Sequence, residues 1–173
     1  MSVNLPNLLT LFRIVLIPLY LYVFFSANPY HVEIALAILI IAGLTDIADG
    51  YLARKHKLVT TLGIVLDPLA DKLMMLAVIA SFFVTERISM WAALFFFVRE
   101  VAMIATGAVY HLRGKKTVPA NTYGKLTTVF LYVVIPLIMY RYEYSEMILW
   151  TVIAFSFITS VIYLGKFRLL NRA

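Results

Sequence analysis

Residues 34–54 read Ile-Ala-Leu-Ala-Ile-Leu-Ile-Ile-Ala-Gly-Leu-Thr45-Asp46-Ile-Ala-Asp49-Gly50-Tyr-Leu-Ala53-Arg54. An uncharged apolar run passes without a break into two carboxylates and a guanidinium. The run is what a helix in hydrocarbon requires, since the bilayer offers no water to exposed backbone groups. The carboxylates are what such a helix should avoid: an ionisable group at membrane depth costs about 2.5 to 3.5 kcal/mol even on insertion scales. The rest of the chain repeats the first feature and concentrates the second.

Of 173 residues, 63% are apolar and only 14% charged, with a mean hydropathy of +0.92. A soluble domain carries about 25% charged residues, so an ordinary soluble globular fold is excluded. Disorder is excluded by the same apolar richness. Cysteine is absent, which removes disulfides, thiolate metal sites and a cysteine nucleophile. The length suits one domain over residues 1–173. Apolar runs cover about Leu8 to Phe25, Val32 to Ala53, Leu66 to Val84, Ser89 to His111, Asn121 to Met139 and Glu146 to Leu164. At about 20 residues per crossing, these predict an all-α integral membrane protein, a bundle of six transmembrane helices. The first run has no small-residue cleavage site and carries Arg13, so it reads as a retained helix rather than a signal peptide.

The net charge is +6. Basic residues fall in loops between apolar runs, which favours topology over nucleic-acid binding. Arg54, Lys55, Lys57, Lys72, Arg113, Lys115, Lys116, Lys125, Lys166, Arg168 and Arg172 lie on one side of an alternating six-helix chain; only Arg87 and Arg141 lie on the other. Positive loops stay inside. Both termini and the acidic segment are therefore expected on the cytoplasmic face of the cell (inner) membrane.

All four aspartates of the chain, Asp46, Asp49, Asp67 and Asp71, fall at the end of the second run and the start of the third. Spacings of three and four put each pair on one helix face. A short connection between the runs makes the two helices antiparallel neighbours, so the four carboxylates are expected to converge at the cytoplasmic end. Four bare charges would repel. Oxygen-only ligands suit Mg²⁺ or Mn²⁺. The alternative is that each aspartate neutralises a nearby Lys or Arg or caps a helix, as Asp46 after Thr45 and Asp71 beside Lys72 are placed to do. Gly50 and Gly63 allow close backbone approach, Arg54 suits a phosphate, and Ala53 leaves space beside it. Two divalent ions holding a diphosphate, with one carboxylate free as general base, is a recurring arrangement for displacement at phosphorus.

Written out, the segment is Asp46-x2-Asp49-Gly50-x2-Ala53-Arg54-x8-Gly63-x3-Asp67-x3-Asp71. It resembles, at every specified position, the signature of the CDP-alcohol phosphatidyltransferase family. Pro6-Asn7-Leu-Leu-Thr10-Leu-Phe-Arg13 and Asp67-Pro-Leu-Ala-Asp71-Lys72-Leu-Met are similar to bacterial members that use glycerol-type acceptors. The resemblance implies a transferase that moves the phosphatidyl group of CDP-diacylglycerol to an alcohol, releasing CMP. It implies that Asp46, Asp49 and Asp67 bind two divalent metals, with Asp71 as a further ligand or the general base. It places Asn7, Thr10, Gly50, Ala53, Arg54 and Gly63 at the CDP site, and it implies a homodimer.

The acceptor is read from the fourth and fifth helices. Members that use glycerol-3-phosphate carry an Arg-Glu pair followed about two turns later by another Arg. Here Arg99-Glu100 is followed by Thr106-Gly107-Ala108. Their Gly-Lys-x-Lys-Thr stretch reads Gly124-Lys125-Leu126-Thr127-Thr128 here. A phosphomonoester wants several basic partners, so the two missing cations tilt the expectation towards phosphatidylglycerol and a cardiolipin product. Glycerol-3-phosphate is the alternative, with Arg113 to Lys116 as replacement cations. Arg99, Lys125 and Arg113 are the candidate acceptor residues. Arg99 and Glu100 also read as a local ion pair inside the bundle, and Lys125 as a snorkelling anchor. A small cation transporter, which also uses intramembrane carboxylates, is the rival class. It has no need of Gly50, Ala53, Arg54 and Gly63.

Overall fold

The computed structural model describes the backbone at residues 5–56, 61–112 and 122–170, and side chains at 8–48, 69–106, 109, 124 and 126–167. Its elements are six helices: α1 (Leu5–Phe24), α2 (His31–His56), α3 (Thr61–Val84), α4 (Met90–Leu112), α5 (Thr122–Met139) and α6 (Ser145–Leu170). No strand occurs among the described residues. The helix count and order match the sequence reading. The ends differ most at α2, α3 and α6, each of which runs several residues beyond its apolar stretch. Hydropathy marks where lipid contact ends, whereas the backbone ladder continues through Arg54, Gly63 and Lys166.

Two helices are long and apolar enough to cross a bilayer within the described residues: α2 over His31–Ala48, mean hydropathy 1.9, and α6 over Ser145–Phe167, mean hydropathy 2.1. Leu8–Phe24 and Leu126–Met139 are shorter apolar segments. Large apolar side chains stand exposed along the helices, including Val15, Tyr22, Ile47, Met147 and Val161. A soluble surface would treat such patches as a liability, and a hydrocarbon solvent does not.

The chain divides into two compact units, Met1–Ser81 and Phe82–Ala173. In the first, α1 and α2 form an antiparallel hairpin. Its turn is set by Asn28, whose Oδ1 accepts from the Tyr30 amide (2.8 Å) and whose carbonyl accepts from the His31 amide (3.0 Å); this is the local bonding that makes Asn a turn residue. Thr10, Arg13, Leu16, Tyr20 and Phe24 form the buried stripe of α1, and Ala35, Ile38, Leu39 and Ala42 that of α2. Two alanines on the α2 stripe permit close approach of the backbones. The end of α3 is tied to α1 by Tyr20 and Ser81, both buried, at 2.9 Å. Ser81 spends its own hydrogen on the Val78 carbonyl (2.7 Å), so Tyr20 is the donor of this bond.

In the second unit, α6 packs against both α4 and α5. Phe95 of α4 meets Trp150 and Phe157 of α6 edge-on, and Phe130 of α5 meets Phe155. The polar breaks at 85–87 and 140–145 are built alike. Glu86 and Arg141 each take φ of 53° just past the ends of α3 and α5. The next amides, of Arg87 and Tyr142, reach back to the carbonyls of Phe82 (2.8 Å) and Leu137 (2.9 Å). This is the Schellman pattern, here with L-residues where glycine is usual. The two turns then clasp each other. Arg87 donates to the Met139 carbonyl, and Arg141 Nη2 donates to the Thr85 carbonyl (3.2 Å). Glu146 accepts the Ser89 amide at the start of α4 (3.0 Å). Arg87 and Arg141, the pair that stands against the positive-inside pattern, thus serve as caps on each other's helices.

An L-residue in the left-handed region costs about 1–2 kcal/mol, less the unfolded-state entropy that glycine adds. Glu86→Gly is therefore expected to stabilise the detergent-solubilised protein by about 0.5–1 kcal/mol. Arg141→Gly should gain nothing, because it also removes the bond to Thr85. Thermal unfolding of the two variants side by side checks the contrast.

Candidate functional site

Helix α2 places Asp46 and Asp49 one turn apart, followed by Gly50, Ala53 and Arg54. Helix α3 carries Gly63, Asp67 and Asp71 in its first turns. Asp46 stands deep inside α2 rather than at an end, so it caps no helix. Thr45 Oγ1 bonds back to the Ala42 carbonyl of its own helix (2.8 Å). The partner of Asp46 comes from α1: Arg13 Nη1 lies 2.7 Å from Asp46 Oδ1. The pair is lopsided, since the Arg13 side chain is 2% exposed and that of Asp46 is 44% exposed. Arg13 therefore holds one oxygen from the protein side, and the rest of the carboxylate is open.

Thr10 lies one turn before Arg13 on the same face of α1 and is fully buried. Asp71 and Lys72 are half-buried on α3. The side chains of Asn7, Asp49, Gly50, Ala53, Arg54, Gly63, Asp67, Arg113 and Lys125 lie outside the described residues, as does the expected convergence of the four carboxylates. Among the described residues no group of three or more His, Asp or Glu side chains comes together. The donor chemistry fits a hard divalent cation: carboxylate oxygens alone, with Asp46 held in place on one side and open on the other.

In the second unit, Arg99 on α4 is buried and paired with Glu100, itself buried. Arg99 Nε also donates to Ser160 Oγ of α6 (3.1 Å), and Ser160 donates to the Ser156 carbonyl (2.8 Å). This is the internal ion pair that the sequence offered as the alternative to acceptor contact.

Arg13 is the residue that the sequence reading passed over as a site member. Its signal was present: a lone guanidinium inside an apolar run needs a partner, and such residues mark functional sites by default. What the sequence lacked was the register of α1 on α2 that names Asp46.

The family model described as CDP-alcohol phosphatidyltransferase matches residues 3–158, a span that includes α1 to α5, most of α6 and all eight signature positions. A protein of Rickettsia bellii named CDP-diacylglycerol–glycerol-3-phosphate 3-phosphatidyltransferase is 32% identical over 169 residues, covering 92% of this chain and 93% of its own length. Proteins of the same name are 35% identical over 130 residues in Aquifex aeolicus, covering 74% of this chain and 71% of theirs. In Salmonella typhimurium the figures are 35% over 146 residues, covering 82% and 79%. The chain therefore belongs to the CDP-alcohol phosphatidyltransferase family, and it is a membrane transferase of phospholipid biosynthesis.

Proposed function

We propose that the chain transfers a phosphatidyl group from CDP-diacylglycerol to glycerol-3-phosphate and releases CMP. The observation that carries this reading is the name shared by relatives that match along most of the chain. It replaces the expectation of a phosphatidylglycerol acceptor, which the relatives do not support. That expectation counted cations at two fixed positions. An acceptor phosphate responds to the charge delivered at its oxygens, and Arg113, Lys115 and Lys116 follow α4 in the sequence as further cations.

In this reading, Asp46, Asp49, Asp67 and Asp71 would hold two divalent ions, Mg²⁺ or Mn²⁺; the family is generally dependent on divalent metals. Bound there, the ions supply neutralisation of the diphosphate charge. Arg54 binds a phosphate oxygen, Gly50 and Gly63 admit the nucleotide against the backbone, and Ala53, Asn7 and Thr10 complete the CDP pocket. Asp71 takes the proton of the acceptor hydroxyl as its oxygen attacks the β-phosphorus and the bond to CMP breaks. Arg113 and Lys125 bind the acceptor phosphate. Six membrane crossings, cytoplasmic termini and a cytoplasmic site complete the proposal, supported by the placement of Lys and Arg; the homodimer is what the family resemblance implies.

The test is a pair of reactions with purified protein, CDP-diacylglycerol and Mn²⁺, offered glycerol-3-phosphate or phosphatidylglycerol, with products identified by mass. Phosphatidylglycerophosphate is expected from the first and nothing from the second. Cardiolipin from the second would restore the other acceptor. Asp49→Asn should abolish CMP release and leave helical content unchanged; normal turnover would remove the metal site.

Arg99 is assigned here to the internal pair. Arg99→Ala removes the cation paired with buried Glu100, and breaking such a pair costs up to about 3–5 kcal/mol. Arg99→Met combined with Glu100→Gln should regain most of that stability and keep the glycerol-3-phosphate KM within about threefold, since such replacements are often neutral. A large rise in acceptor KM in the stable double variant would return Arg99 to the acceptor site.

A further inference from the structure

We infer that Arg13 is a positioning residue for the cation site: it fixes the Asp46 carboxylate so that one oxygen is held by the protein and the other faces the metal. This rests on the reading of Asp46 as a metal ligand.

Three observations carry it. The first is register. The buried stripe of α1 descends through Phe24, Tyr20 and Leu16 to Arg13, while that of α2 ascends through Ala35, Ile38, Leu39 and Ala42. Asp46 is the next position on that α2 face. The hairpin thus brings one cation and one carboxylate together where its apolar seam ends. The second is the direction of the contact. Arg13 Nη1 meets Oδ1 at 2.7 Å, the distance of a close ion pair. The third is the asymmetry of burial, 2% against 44%. The partly exposed side of Asp46 leaves carboxylate surface available to a cation, which a fully buried pair would not. A carboxylate ion-paired on its buried side and partly exposed elsewhere has the arrangement of a metal ligand held in place by an outer partner. Loss of such an outer partner typically costs about 10- to 100-fold in metal affinity. Arg13 also offsets part of the repulsion among the four aspartates that share the segment.

The experiment titrates the full chain in detergent micelles with Mn²⁺ alone, reading free ion by electron paramagnetic resonance. Wild type, Asp46→Asn, Arg13→Gln, Arg13→Lys and the Asp46→Asn/Arg13→Gln double variant are compared, with helical content followed by circular dichroism. Arg13→Gln is expected to weaken Mn²⁺ binding by about 10- to 100-fold. The losses from Asp46→Asn and Arg13→Gln should be less than additive in the double variant, because the two changes share the Arg13–Asp46 contact. Arg13→Lys should recover part of the loss. In CMP release, the half-saturating Mn²⁺ concentration should rise in Arg13→Gln while turnover recovers at saturating Mn²⁺; a defect of folding alone would depress turnover at every concentration. Arg13→Gln binding Mn²⁺ within twofold of wild type, with Asp46→Asn weakened, would overturn the positioning role and leave Asp46 a ligand. Asp46→Asn binding as wild type would overturn the ligand reading and this inference together. Should Arg13→Gln fail to fold, Arg13→Lys decides: a several-fold loss of affinity supports the role, and wild-type affinity overturns it.

Discussion

A charge surrounded by apolar side chains must find a partner, and this constraint organises the interior of the protein. Burying an unpaired ion costs several kcal/mol even after relaxation, more than one hydrophobic contact returns. Arg13 answers it with Asp46 across the α1–α2 hairpin. Arg99 answers it with Glu100 beside it and Ser160 on α6. Each pairing selects a helix register, because a slip of one residue would turn the charge towards an apolar neighbour. The two differ in what they leave open. Glu100 is buried with its arginine, whereas the Asp46 side chain stays partly exposed. The same constraint thus produces a buried pair in one unit and a partly exposed one in the other.

At the α3–α4 and α5–α6 turns the corresponding constraint is on the backbone. Helix ends leave carbonyls without partners. Glu86 and Arg141 turn the chain into the left-handed region so that following amides satisfy some of them, and the Arg87 and Arg141 side chains satisfy others across the gap. The exchange ties the end of α3 to the end of α5, and Glu146 adds the start of α4. Arginines that look like exceptions in a charge count are structural caps.

The acceptor is where the pattern reading and the relatives part. Thr106 and Leu126–Thr127–Thr128 lack cations at positions where glycerol-3-phosphate enzymes carry them, and this tilted the sequence reading towards phosphatidylglycerol. Relatives aligned along most of the chain carry the other substrate in their name. Single positions report single contacts. Binding of a doubly charged phosphate depends on summed charge and distance, which residues elsewhere in the chain can restore.

Much was legible in the sequence because it depends on local pattern. Apolar run length dictated six helices, since hydrocarbon admits only backbones that satisfy themselves. The spacing of Asp46, Asp49, Gly50, Ala53, Arg54, Gly63, Asp67 and Asp71 carried the family, since it resembles the family's signature position for position. The pairing of Arg13 with Asp46, of Arg87 with Met139 and of Arg99 with Ser160 was not legible. Each joins residues far apart in sequence, or depends on how one helix is rotated against another. Periodicity says which residues share a face; only packing of the faces, through Ala35, Ala42 and the apolar stripe between them, decides which charge meets which.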